Sequence, residues 1–337
     1  MRLFLARIRD HIRILVKFLT KDIWALDFSE LSNARKRFIK NIQAFILTAK
    51  GFANERVGRE GVALSWFTTL AFVPMIAVIL FVSNGFGLDK VLQETLTASF
   101  PTSTQLIHVI ADYARNIVSA TEKGAFGWIS FLSFVWTIVW LMINIEIAFN
   151  RIWQVKEPRK LWQRITVYFA IMLVTPFVLI LLFSGWTWYA RFIGLLRGKL
   201  GVFQFITTNM FWVAFYGVVV LALSVMFKFI PHAKVRFGSA LKAALIVGVV
   251  FVAIQWFYMG TQVMVTRLGA VYGALAFIPL FMVWLNLCWQ TILFGAELSR
   301  GYTLVDYREA KERGLSDLTA EEAVQLNMDR YVYGRGL

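Results

Sequence analysis

Charged residues are scarce in this chain of 337 residues, making up 16% of it, whereas about a quarter is ordinary for a soluble domain. Apolar residues make up 58% of the chain, above the ordinary share of about half. They are concentrated in long blocks that basic patches separate. This composition argues against a soluble globular enzyme and indicates an integral membrane protein.

Cysteine and histidine are almost absent. The single cysteine, Cys288, cannot form an intramolecular disulfide, so the fold does not depend on an oxidising compartment. His11, His108 and His232 lie far apart in the sequence, and metal-dependent phosphodiester chemistry needs several ligands that converge on one ion. No glycine-rich phosphate loop with its lysine, G-x-S-x-G elbow or H-E-x-x-H pair occurs. We therefore expect no enzymatic activity, no cofactor and no metal site.

Six stretches reach the roughly 20 apolar residues that a membrane-spanning helix needs. Barrel strands would instead alternate apolar and polar residues over about ten positions. The sequence therefore predicts an all-α membrane protein whose six-helix domain, 61–298, lies between a basic region, 1–60, and a polar tail, 299–337. The predicted spans run approximately Gly61–Asn84, Gly124–Glu146, Ile165–Trp186, Thr208–Phe227, Gly238–Tyr258 and Tyr272–Leu298.

Basic residues alternate along the connections between these spans. Alternate regions carry 28 Lys and Arg on one side and 7 on the other. Without the first 60 residues the ratio is still 15 to 7. By the positive-inside rule both termini are cytoplasmic, and the regular alternation itself supports six spans.

Amphipathic segments flank the first span. Near the N-terminus, apolar residues recur at helical spacing among arginines and lysines, which predicts an interfacial helix that binds anionic head groups of the inner leaflet. Nucleic-acid contacts are the alternative for this basic region, and we expect none. Two further amphipathic helices are predicted between the first two spans, on either side of Pro101. The residues that define these three helices are Leu5, Ile8, Ile12, Leu15 and Leu19, then Val91, Leu92 and Leu96, then Leu106, Ile110 and Ile117.

Polar residues within the predicted spans are the candidate functional residues, because each is costly in lipid. Asn286, Gln290 and Glu297 are spaced by four and seven residues and share one helix face. Asn144 and Glu146 lie at the end of the second span. They form either a polar seam that conducts a solute or lipid head group, or hydrogen bonds between helices. Glu146 and Glu297 are equally compatible with ion pairs to a basic neighbour such as Arg151 or Arg300.

Prolines and four longer motifs complete the pattern. Pro74, Pro176 and Pro279 lie within spans and are predicted to bend them. The motifs are ALSWFTTLAFVPMIAVIL (63–80), FNRIWQV (149–155), FKFIPHAKVRF (227–237) and YGALAFIPLFMVWLNLCWQTILFGAEL (272–298).

Together the four motifs resemble the YihY/BrkB family of bacterial inner-membrane proteins, once labelled ribonuclease BN, over about residues 38–302. The resemblance implies six helices and a place in the bacterial cytoplasmic membrane. The chain departs from the family pattern at His232, where an asparagine is expected. Transport or handling of a lipid or other amphiphile is the predicted function, with a scaffold that docks a protein partner as the alternative. The family-motif positions are Asn150, Arg151, Trp153, Pro231, Tyr272, Gly273, Gly295 and Glu297.

Overall fold

The computed structural model describes residues 23, 32–54, 57–99, 112, 116, 119, 125–155, 157–196, 203–266 and 270–312. Within these ranges the chain forms eight long α-helices and no β-strand. In chain order they are α1 (Asn33–Asn54), α2 (Val57–Gly85), α3 (Asp89–Ser99), α4 (Ala125–Ile152), α5 (Leu161–Leu196), α6 (Phe203–Phe229), α7 (Phe237–Thr266) and α8 (Ala270–Glu312).

Six of these helices, α2 and α4 to α8, are long and apolar enough to cross a membrane. The prediction of an all-α protein with six membrane-spanning helices is therefore confirmed. The largest difference between a predicted and an observed helix end is in α8, which continues 14 residues past the predicted limit of Leu298. Charged side chains in that extension have partners: Arg300 pairs with Glu297, and Asp306 with Lys40 and Lys242. Hydropathy alone does not reveal these pairs.

The predicted amphipathic segments fall partly within the described ranges. The segment around Leu92 forms α3, and this leucine is buried. The N-terminal segment from Leu5 to Leu19 and the segment from Leu106 to Ile117 lie outside the described residues. Pro74, Pro176 and Pro279 each lie inside a helix that continues on both sides, namely α2, α5 and α8. The bends predicted at these prolines stay predictions.

Two clusters of buried apolar side chains hold the bundle together. The larger one joins α1, α2, α4, α6, α7 and α8, and its largest fully buried members include Trp153, Phe149 and Phe227. The smaller one joins α2, α4 and α5 through residues such as Ile138 and Met172. Helix α5 therefore lies at the periphery of the bundle, packed on α2 and α3 and more sparsely on α4.

Ion pairs and hydrogen bonds bring the helix ends together at one end of the bundle, where α2, α5 and α7 begin and α4, α6 and α8 end. We call this end the basic face. Glu60 in the first turn of α2 pairs with Arg151 in the last turn of α4. Asp306 of α8 lies 3.1 Å from Lys40 of α1 and 3.6 Å from Lys242 of α7. This up-and-down arrangement agrees with the alternation of basic residues, while the orientation of the basic face in the membrane stays a prediction.

Helix α1 lies directly against α8 because small residues allow their backbones to approach. A Cβ atom on Gly301 would lie 2.8 Å from the carbonyl oxygen of Ala44 and 3.1 Å from Oγ1 of Thr48. A Cβ atom on Gly51 would overlap the carboxylate of Glu297. The close approach of α1 to α8 therefore requires glycine at both positions.

We predict that Gly301→Ala lowers the unfolding free energy by about 1–3 kcal/mol, the usual cost of overpacking, because α1 must move away from α8. Gly217→Ala in α6 is the matched control, since a Cβ there meets no atom within 4 Å. That change is expected to be neutral or to stabilise by up to about 1 kcal/mol. Thermal unfolding of both purified variants in detergent micelles checks the pair, and equal transition midpoints would contradict the packing described here.

Candidate functional site

Glu146 is the centre of a buried polar network in the last two turns of α4. Its side chain is only 2% exposed, and its Oε1 lies 3.2 Å from Nε of Arg164 on α5. The hydroxyl of Tyr168, also on α5, donates a hydrogen bond to Oε2. One turn further along α4, Asn150 donates to Oε1 over 3.3 Å. The carboxylate therefore joins α4 to the first turns of α5 at a depth where an unpaired charge is expensive.

Arg159 extends the network to the segment that links α6 and α7. Its Nη1 lies 4.0 Å from Oε2 of Glu146. Its guanidinium donates to the carbonyl oxygens of Phe229 and Ile230 over 2.8 and 3.0 Å, and to that of Pro231 over 3.4 Å. These carbonyls lie at the end of α6 and just after it. Backbone carbonyls there have no hydrogen-bond donor within the helix, and the helix dipole is negative. Arg159 therefore caps α6.

A second bridge joins the motifs FNRIWQV and FKFIPHAKVRF directly. The backbone N–H of His232 donates to Oδ1 of Asn150 over 2.8 Å. The imidazole Nδ1 of His232 lies 2.9 Å from the carbonyl oxygen of Glu157. The bond to Asn150 uses only the backbone of residue 232. An unexpected side chain at this position therefore leaves that contact intact.

The backbone at the end of α4 forms a Schellman motif. The N–H of Val155 bonds to the carbonyl of Asn150 over 2.9 Å, and that of Gln154 to the carbonyl of Arg151 over 3.0 Å. Gln154 has a φ of 51°, the left-handed conformation that this motif requires at its turning residue. The chain leaves α4 sharply here, with Trp153 fully buried beside the turn.

The arginines at the end of α4 and the start of α5 outnumber the carboxylates that they pair with. The sequence suggested Arg151 as a partner for Glu146, but the structure pairs Glu146 with Arg164 and Arg159 and pairs Arg151 with Glu60. Arg151 lies five residues after Glu146, which at 3.6 residues per turn places it about 140° around α4. Three arginines therefore share two carboxylates in these ion pairs.

An open cleft of about 760 Å³ adjoins this network, between the end of α4 and the start of α5. Its wall combines cationic and polar groups with apolar ones. The cleft lies where the apolar stretch of α4 ends and that of α5 begins. The residues that line it are Ile147, Asn150, Arg151, Gln154, Val155, Pro158 and Arg164.

On α8, two of the three predicted seam residues are engaged in packing. Nε2 of Gln290 donates to the carbonyl oxygen of Gly58 over 2.6 Å, and its side chain fills the space beside Gly61. Glu297 and Arg300 are both buried and form an ion pair at 3.1 Å. For these residues the structure shows hydrogen bonding and ion pairing, the packing alternative that the sequence left open.

The two asparagines behave differently. Nδ2 of Asn144 donates to the carbonyl oxygen of Trp140 in its own helix over 2.7 Å. Asn286 is half-buried one turn before Gln290 and makes no hydrogen bond within the described part of the chain. The network around Glu146 and the packed contacts of α8 thus lie in separate places, and Asn286 is the seam residue without an evident packing role.

The remaining family-motif positions are in or next to helices. Gly295 is required for packing, because a Cβ atom there would overlap the ring of Phe227 on α6. Tyr272 and Gly273 lie in the first turn of α8, with side chains outside the described set. Across the described ranges, no group of three or more His, Cys, Asp or Glu residues is placed to hold a metal ion.

Arg159, Arg164 and Tyr168 are the network members that reasoning from the sequence missed. Tyr168 lies four residues after Arg164, so both point to the same side of α5. That spacing is the one signal in the sequence that groups them, and nothing in it indicates Glu146 on another helix as their common partner.

These features define a helical membrane protein with six spans and a charged network at its basic face. The chain matches the family model described as Virulence factor BrkB over residues 48–318, and it therefore belongs to the BrkB family. The resemblance noted from the four motifs is thus confirmed. No solved structure matches the chain.

Several bacterial relatives are known as UPF0761 membrane proteins. One from Methylibium petroleiphilum is 27% identical over 280 residues, covering 82% of this chain and 66% of the relative. One from Laribacter hongkongensis is 30% identical over 248 residues, covering 70% of this chain and 56% of the relative. One from Pseudomonas aeruginosa is 26% identical over 271 residues, 78% of this chain and 64% of the relative. The match thus spans less than two thirds of each relative.

We predict that Glu146→Gln lowers the unfolding free energy by about 3–5 kcal/mol, because it leaves Arg164 buried without its carboxylate. Glu146→Gln combined with Arg164→Gln is expected to recover part of this loss. Glu157→Gln, at an exposed position, is the control and is expected to change stability by less than about 0.5 kcal/mol. Unfolding in mixed detergent micelles measures all three variants, and a neutral Glu146→Gln would contradict a structural role for the network.

Proposed function

We propose that this chain moves or handles a lipid or other amphiphile in the bacterial cytoplasmic membrane, with its basic face in the cytoplasm. The observation that carries the proposal is the cleft beside Arg164. It combines cationic side chains with the apolar side chains of Ile147 and Val155, and it lies at the boundary of two spans. An amphiphile has the same two parts, a polar head and an apolar body.

The position of α5 supports this proposal. This helix is peripheral, packs only sparsely on α4, and contains Pro176 within its span. A lipid that enters sideways between α4 and α5 has little backbone packing to separate beyond the Glu146 network and the small apolar cluster. Buried charges within membrane spans commonly mark pathways for substrates or ions, and the network of Glu146 lies beside this entrance.

Asn286 supplies a second polar position, in α8. Its amide is half-buried in an apolar span and makes no hydrogen bond within the described residues. A polar group with no packing role is costly in lipid. In our proposal it contacts the head group during transfer.

A scaffold function is the alternative, and the attachment of α1 favours it. The start of α1 contains the basic run Arg35-Lys36-Arg37, and the helix is fixed to α8 through Gly51 and Gly301. A protein partner or anionic lipid surface bound to this run would therefore be held rigidly relative to the bundle. This function requires no movement of lipid, which makes the two proposals separable.

We predict that the basic face is cytoplasmic. In a Cys288→Ser background, Lys234→Cys places a thiol in the α6–α7 linker at the basic face, and Lys90→Cys places one in α3 beyond the opposite end of α2. Both positions are exposed. A membrane-impermeant maleimide is expected to label Lys90→Cys in intact spheroplasts and Lys234→Cys only after lysis. The reverse pattern would overturn the orientation.

We predict that purified protein in proteoliposomes translocates head-group-labelled phospholipid and that Asn286→Leu slows this at least tenfold. Thr291→Val is the matched control. It also removes a polar group from α8, but within the described residues its hydroxyl bonds only to the carbonyl of Leu287 in the same helix. We expect it to retain the wild-type rate.

Movement no faster than in protein-free liposomes would refute the translocation proposal and favour the scaffold. Equal rates for Asn286→Leu and the wild type would show that Asn286 does not lie on the path. Both variants must first elute as the wild type does on size exclusion.

A further inference from the structure

We infer that the cleft between the end of α4 and the start of α5 is a binding site for an anionic phospholipid, with Arg151 and Arg164 holding the phosphate of its head group. The inference rests on the proposed function, for which it names the class of ligand and the place of entry. Three independent features lead to it: the charge of the cleft, an apolar groove further along α5, and the depth of the cleft.

The charge of the cleft favours an anion. The three arginines of this region share two carboxylates. Arg151 and Arg164 both line the cleft, and no acidic residue is among the residues that line it. Each of these arginines has one carboxylate partner outside the cleft lining, Glu60 and Glu146 respectively. A phosphate between them would accept charge-assisted hydrogen bonds from their guanidinium groups.

The two arginines that line the cleft differ in how firmly their side chains are held. Arg164 is held in place, with its side chain 9% exposed and its Nε 3.2 Å from Glu146. Arg151 has a side chain 55% exposed, and its ion-pair partner Glu60 has a side chain 24% exposed. Ion pairs that water reaches are weak, so a phosphate can compete with Glu60 for Arg151. A fixed guanidinium on one side and a movable one on the other can close around a head group.

An apolar groove lies further along α5, on the helix face that also contains Arg164. Its volume is about 450 Å³, and it is lined by residues that include Val167, Ile171, Val174 and Val178. With Arg164, the positions 167, 171 and 178 recur at spacings of three, four and seven residues, which is one helix face. At 1.5 Å per residue, the stretch from 164 to 178 is about 21 Å long. One leaflet of the hydrocarbon core is about 15 Å deep, so the groove accommodates an acyl chain.

The depth of the cleft distinguishes a lipid from a soluble phosphate. Leu161 and Trp162 at the start of α5 are 67% and 78% exposed. Large apolar and Trp side chains exposed at the end of a span are typical of the membrane–water interface. The cleft, which contains Arg164 one turn further along, therefore lies at the level of phospholipid head groups. A free phosphate ester would make no use of the apolar groove.

The test is a titration of the detergent-solubilised full chain with phosphatidylglycerol, followed by native mass spectrometry. Phosphatidylcholine and glycerol 1-phosphate are titrated in parallel. We expect phosphatidylglycerol to bind saturably and at least tenfold more tightly than either. Arg151→Gln is expected to weaken this binding at least tenfold. Lys234→Gln removes the same charge from an exposed position outside the cleft and should change it less than twofold.

Arg164 needs a substitution that keeps Glu146 paired, because removal of its charge endangers the fold. Arg164→Lys keeps the charge and loses the planar fork that binds phosphate through two hydrogen bonds. We expect this variant to elute as the wild type does and to bind phosphatidylglycerol three- to tenfold more weakly. An unchanged affinity in both Arg151→Gln and Arg164→Lys would overturn the site.

The remaining outcomes separate this inference from the proposed function. Equal affinities for phosphatidylglycerol and phosphatidylcholine, or tight binding of glycerol 1-phosphate alone, would overturn the anionic-lipid site. If translocation in proteoliposomes persisted in either case, the proposed function would stand without this site. Selective binding without translocation would support the site and refute transport.

Discussion

The structure depends on the neutralisation of one buried carboxylate at the edge of the membrane. Glu146 has a side chain that is 2% exposed, and the cost of burying its charge is met by Arg164, Arg159, Tyr168 and Asn150. These partners come from α4, α5 and the loop that joins them. Arg159 in turn binds the end of α6. A single charge therefore fixes the mutual positions of three spans, of which α5 has few other contacts with α4.

The positions of the charges also decide how the bundle can function. At Glu297 and Arg300 the carboxylate and guanidinium are both buried, and the carboxylate lies against Gly51 of α1, so this pair belongs to the packed interior next to α1. At Glu146 the network has one side on an open cleft. The same type of interaction thus stabilises packing in one place and, in our proposal, prepares a ligand site in the other. The two networks contain the same kinds of residue and differ in whether their surroundings are closed or open.

Periodicity and charge in the sequence were sufficient to predict the number of spans and the alternating direction in which they run. Both depend on local properties, namely a run of apolar residues and the lysines and arginines between runs. The partners of Glu146 could not be predicted in this way, because Arg159, Arg164 and Tyr168 come from the following loop and helix. Gln290 was placed correctly on one face with Asn286 and Glu297. Its bond to the carbonyl of Gly58, however, depends on an approach of α2 to α8 that two glycines allow.

The length of α8 has a mechanical consequence. Its 43 residues correspond to about 65 Å at the usual rise, roughly twice the hydrocarbon thickness of a bilayer. Near its middle, Gly295 lets the ring of Phe227 pack against the backbone. Beyond it, Asp306 is tethered to α1 and α7. Because α8 is continuous from Ala270 to Glu312, a single helix connects the span that contains Asn286 to the ion pairs at the basic face.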